Sequence, residues 1–93
     1  MVHVIAYDLH EPNDTSEDYE RVITSIKKKF SSWCHLEKSV WLVNTSMDAG
    51  EVRDFMKTCV NDADTVFVGR LNGNWGSWNL SQVQVDWLKA QTF

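Results

Sequence analysis

At 93 residues the chain forms one domain, residues 1–93, short enough that folding buries only about two-thirds of the unfolded surface. Its 43% hydrophobic and 24% charged residues exclude a disordered chain, and no apolar run approaches the roughly 18 residues of a membrane-spanning helix. A formal net charge of −4 excludes a protein held on nucleic acid chiefly by overall charge, while leaving room for a local basic patch or a metal-bridged phosphate.

Val2 to Leu9 is a short run rich in β-branched residues, a strand, stopped by His10-Glu11-Pro12-Asn13-Asp14. Thr15 or Ser16 can cap a helix whose first turn carries Glu17 and Asp18, favourable at the positive end of its dipole. Tyr19, Val22, Ile23, Ile26 and Phe30 then recur at spacings of three and four, one apolar stripe, and Lys27-Lys28-Lys29 closes the helix. Trp33 to Thr45 is long enough for two short strands or one bent strand. Ser46 or Asp48 caps a second helix with the stripe Val52, Phe55, Met56, Cys59 and Val60, and Asn61-Asp62-Ala63-Asp64 is a turn. Thr65 to Leu71 is the next strand, followed by a polar loop with two indoles, Trp75 and Trp78. A last helix starts near Ser81, with Leu80, Val83, Trp87 and Leu88 expected on its inward side.

The order β-α-β-β-α-β plus a helix predicts an α+β fold, a ferredoxin-like sandwich with an added C-terminal helix. Two crossover helices cover only one sheet face, yet the first strand is apolar on both: Val2, Val4, Ala6 against Ile5, Tyr7, Leu9. The last strand repeats this with Phe67 and Leu71 against Val66 and Val68. A solvated face would alternate apolar with polar, so something covers the second face. Either the extra helix or a second copy can do so; a two-fold homodimer is the expectation, such pairs being the commonest assemblies. Cys34 and Cys59 lack any CxxC spacing and read as small apolar residues in a reducing compartment. Met1 leads straight into a strand with no basic-then-apolar segment, so a cytoplasmic protein without membrane contact is expected.

Asp8 is the first candidate for chemistry. A carboxylate at a strand end, followed by His10, Glu11 and Asp14, can hold a hard cation such as Mg²⁺ while leaving it several waters. Such an ion can activate water and neutralise a scissile phosphate. Asp8 and Glu11 are the candidate metal ligands, with Asp8 and His10 as catalytic groups and His10 as the proton donor. The plainer alternative is that Asp8 accepts hydrogen bonds in the loop and the others are solvated turn residues. Trp75 and Trp78 can stack single-stranded bases while Arg70 and Lys38 meet phosphates, or they can pin the last helix to the sheet.

Tyr7-Asp8, Lys38-Ser39-Val40-Trp41 and Asp64-Thr65-Val66-Phe67-Val68 fall in the order and element positions seen in the small CRISPR-associated adaptation protein. The strand-ending Asp is shared with the related virulence-associated ribonuclease toxins. Over roughly its first seventy residues the chain resembles a compact, divergent member of that superfamily. The resemblance implies a ferredoxin-like homodimer and, as in some members, a metal-dependent endonuclease acting on RNA or DNA with one Asp8 from each subunit facing the two-fold axis. It carries Lys38 and Ser39 over as a structural or backbone-contacting stretch, which sets Ser39 beside Lys38 among the nucleic-acid contacts. The alternative function is a non-catalytic dimeric module that binds another protein in a defence or toxin–antitoxin type system.

Overall fold

The computed structural model of the chain describes residues 1–93. Its elements are β1 (Val2–Asp8), α1 (Ser16–Lys29), β2 (Ser32–Glu37), β3 (Val40–Asn44), α2 (Ala49–Lys57), β4 (Thr65–Leu71) and α3 (Gln82–Ala90). The strands form one antiparallel sheet in the order β2-β3-β1-β4, the ferredoxin-like arrangement. The 33–45 stretch is thus two strands, broken at Lys38-Ser39.

Each helix begins with the same local chemistry. Thr15, Asp48 and Ser81 are the N-caps, and each accepts the backbone N–H three residues on, from Asp18, Glu51 and Gln84. Those three side chains reach back to the cap's own N–H, so two backbone donors are satisfied at each start. Asn79, at φ 60°, is the one non-glycine residue in the left-handed region, and it turns the tryptophan loop toward α3. Asn tolerates that conformation better than residues with bulkier or branched side chains.

The two sheet faces carry different cores. Ile5, Tyr7, Trp41 and Val43 face α1 and α2, where Val22, Ile26, Val52 and Met56 complete a contiguous buried cluster. Trp41 is wholly buried at its centre; its Nε1–H donates to Tyr7 Oη at 3.1 Å, and its ring stacks on His35 with centroids 3.9 Å apart. Val2, Cys34 and Leu42 face the other way and are sealed by Leu88 of α3, with Trp75, Leu80 and Trp87 packed around them. Part of the second face is therefore covered from within the chain.

Val83 does not face inward: it is 79% exposed. The sheet-facing positions of α3 are Gln84, Trp87, Leu88 and Gln91, spaced by three and four. Val83 lies five residues before Leu88, about 140° around the helix from it. Leu80, Trp87 and Leu88 do pack inward as expected; only Val83 departs, and Gln84 takes the inward position beside it because its amide has carbonyl partners on β2.

Candidate functional site at the Asp8 end of the sheet

β1 ends at Asp8, paired in register with Thr65 at the start of β4. The Asp8 side chain is 71% exposed and lies 3.9 Å from His10 Nε2. No protein group donates a hydrogen bond to its carboxylate oxygens, so they remain open to an outside ligand. The side chains of β1 alternate, which places Asp8 on the same face as Ala6, Val4 and Val2, the face opposite α1 and α2.

His10 is held by its backbone rather than its ring. Its N–H donates to Asp64 Oδ1 at 2.8 Å, while Asp64 Oδ2 accepts the N–H of Asn61 at 2.8 Å. Asp64 thus ties the loop after β1 to the turn before β4. Partial loss of hydration pushes the Asp64 carboxyl up, but the two amides together with nearby His10 outweigh this and leave it below the ordinary carboxylate range. Glu11 is exposed in the same loop.

The β2–β3 turn reaches the same end of the sheet. Ser39 accepts the Tyr7 N–H through its backbone oxygen at 3.1 Å, so its role here is structural. Lys38 Nζ stands 4.3 Å from the centre of the Tyr19 ring, on the α1 side. Arg70 is elsewhere: it pairs with His3, five residues along β4 from Thr65, or about 16 Å. Trp75 and Trp78 line a cavity on the second face. The structure therefore brings Asp8 and His10 together, with Ser39 and Lys38 at the same end. Arg70, Lys38 and the two indoles form no single nucleic-acid surface within one chain.

No group of three or more His, Cys, Asp or Glu side chains is gathered so as to hold a metal ion. No helix is long and apolar enough to cross a membrane. Burial raises both thiols, Cys34 and Cys59, above their ordinary value, in line with small apolar residues.

Three contributors were not anticipated from the residues. Asp64 reads in the sequence as a turn residue and as the start of one resemblance motif, not as a tie to the loop after β1, although an Asn-x-x-Asp turn is a common place for a carboxylate to collect backbone N–H groups. His3 is buried, with Nε2 2.8 Å from the Met47 carbonyl oxygen and Nδ1 without a partner, and nothing in its sequence spacing marks it. Glu37 is turned to the second face by an irregularity between His35 and Glu37 in the β2–β3 register. A bulge of that kind leaves no compositional trace when no Gly accompanies it. No family model and no curated protein sequence matches this chain.

Proposed function

We propose that two copies of the chain pair through the half of the second sheet face that α3 leaves bare, and that the pair is a metal-dependent endonuclease centred on the two Asp8 carboxylates. The observation that carries this reading is the placement of Asp8. It stands exposed on the second face, two residues beyond Ala6, whose partner across β4 is Phe67. Phe67 is 67% exposed, and an aromatic side chain standing open beside Ala6 gives a second copy something to bury. A two-fold contact there faces each patch with its own copy.

The donor set suits a hard cation on these terms. A single chain offers Asp8, whose oxygens accept no hydrogen bond and have only His10 beside them at 3.9 Å, and too few neighbours to enclose an ion. Two carboxylates with waters are ligands Mg²⁺ accepts, and the shared charge relieves the repulsion of paired acids. A cation so held supplies water activation and charge neutralisation at a phosphodiester. Asp8 then binds and orients, and His10, 3.9 Å away, is placed to give a proton to the leaving oxygen.

The test is cleavage of RNA and of DNA by the purified protein with Mg²⁺ or Mn²⁺, compared with Asp8→Ala. Loss of cleavage by at least about a hundredfold with an unchanged fold supports the proposal. Cleavage that survives Asp8→Ala defeats it.

A second reading, a non-catalytic dimeric module for a protein partner, is favoured by the net charge of −4 and by the exposure of Phe67, Trp78 and Val83. No cleavage under any metal, together with stable co-purification of one protein through Phe67, selects it.

A further inference from the structure

We propose that the cavity between α3, the two-tryptophan loop and the second sheet face binds a small organic cation: a flat, apolar amine whose ring lies among the indoles and leucines and whose ammonium meets Glu37. The cavity measures about 340 Å³, within the range of small-molecule sites. Val4, Leu42 and Leu71 form its sheet side, Leu80 and Leu88 its α3 side, and Trp75 and Trp78 belong to the loop that borders it. Eight of its eleven lining residues are hydrophobic, and the one charged side chain among them is Glu37.

Strict alternation along β2 would send Glu37 to the α1 side with Trp33 and His35. The register shift between His35 and Glu37 instead sets Glu37 opposite Val40, and both Leu36 and Glu37 border the cavity. Gln84 of α3 holds that bend, its Nε2 donating to the carbonyls of His35 at 2.8 Å and Leu36 at 3.2 Å. The turned-out carboxylate has no partner of its own: it belongs to none of the ion pairs and accepts no hydrogen bond in the chain.

Charge complementarity selects the ligand. No Lys, Arg or His lines the cavity, so a phosphate entering it meets no compensating charge. A cation meets Glu37, two bordering indoles able to turn a ring face toward it and a chain of net charge −4, and each of these attracts it. The inference does not depend on cleavage at Asp8, which stands or falls by a separate measurement.

The test uses tryptamine, an ammonium at neutral pH, and tryptophol, its uncharged analogue of the same shape, titrated into isotope-labelled protein while the indole N–H signals are followed by NMR. Tryptamine is expected to shift the Trp75 and Trp78 signals saturably and leave Trp41, buried on the opposite face, unmoved. It should bind about three- to fivefold more tightly than tryptophol, the scale of a solvent-facing ion pair plus a cation–π contact. Glu37→Gln should erase that preference, and Trp78→Ala should weaken both ligands while the fold stays intact, Trp78 being 86% exposed. The proposal is overturned by an absence of saturable shifts, by equal affinity for the two ligands, by a preference that survives Glu37→Gln, or by a single-stranded oligonucleotide displacing tryptamine from the same indoles.

Discussion

Asp64 Oδ1 accepts the backbone N–H of His10 at 2.8 Å, joining residues 54 positions apart in the chain. Through this bond and its partner from Asn61, one carboxylate fixes where the loop after Asp8 leaves the sheet. Asp64→Ala removes both acceptors and should cost about 1–2 kcal/mol of stability at neutral pH, in the range of a lost cap. The sign of the pH effect follows from the lowered carboxyl. Its contribution is complete above the unfolded value of about 4 and is lost as pH falls through the lower folded value. Denaturant titrations should show the wild type and the variant converging as pH drops below about 4. A gap between them that persists in strong acid would locate the effect elsewhere.

Phe67 separates association from folding. It is 67% exposed and its ring lies over Gly69, 3.2 Å from where a Cβ would stand. Phe67→Ser should therefore leave stability within about 0.5 kcal/mol of wild type, as exposed substitutions do. If two copies meet on this face, sedimentation should show the variant shifted toward monomer. An unchanged sedimentation profile, whether monomer or dimer, removes Phe67 from any interface.

Asp8→Ala should be equally silent in stability, because its carboxylate is 71% exposed and accepts no hydrogen bond from the chain. The companion change His10→Ala leaves the Asp64 bond intact, since that bond uses the backbone. It should lower any metal-dependent cleavage by roughly 10²–10⁴-fold, the range for a positioned proton donor. Parallel cleavage assays and melting curves on both variants check this, and a fall in melting temperature for either would point to a structural role.

The elements of the fold are legible in the residues because each carries its own local signal. Thr15, Asp48 and Ser81 each stand three residues before a side chain able to cap in return, and the stripes on α1 and α2 repeat at helical spacing. The doubly apolar β1 announces a covered second face, but the residues of β1 cannot say what covers it. Leu88 and the tryptophan loop cover the end holding Val2 and Leu42, while the Ala6–Phe67 end stays open, and only the path of the chain after Leu71 decides this. The Asp8–His10 proximity follows from two positions of separation and a strand end. The Asp64 tie and the turned Glu37 are long-range and register effects, respectively, for which composition carries no signal. Val83 shows the opposite failure, an apolar residue at plausible spacing displaced by a glutamine with better partners.

Tyr7 and Trp41 test the main core. Tyr7→Phe leaves the buried Trp41 N–H without its acceptor and should cost about 1–3 kcal/mol. Burial pushes the Tyr7 hydroxyl above its ordinary value; the Trp41 bond offsets part of that, and Tyr19 and Cys59 add slightly to it. A raised folded value means the unfolded chain releases this proton first, so stability is complete below about pH 10 and declines as pH rises above it. Phenolate absorbance should show one tyrosine titrating late, and Tyr7→Phe should flatten the loss of stability between about pH 9 and pH 11.

Leu88 and Cys34 together report whether α3 is a fixed part of the sheet or a cover that opens. Leu88 is 3% exposed and seals Cys34, which is 5% exposed, and burial raises that thiol so that little reactive thiolate forms near neutrality. In the native protein a thiol reagent should therefore modify the half-buried Cys59 first. Leu88→Ala removes the plug from a small core and should cost about 2–4 kcal/mol. Because the main cluster on the other face shares none of these contacts, the loss should appear as local opening, with Cys34 labelling at least about tenfold faster while the Tyr7–Trp41 cluster stays protected from hydrogen exchange. Equal acceleration at Cys34 and throughout the Tyr7–Trp41 cluster would instead make α3 inseparable from the cooperative unit, and the second face would then be as permanent a core as the first.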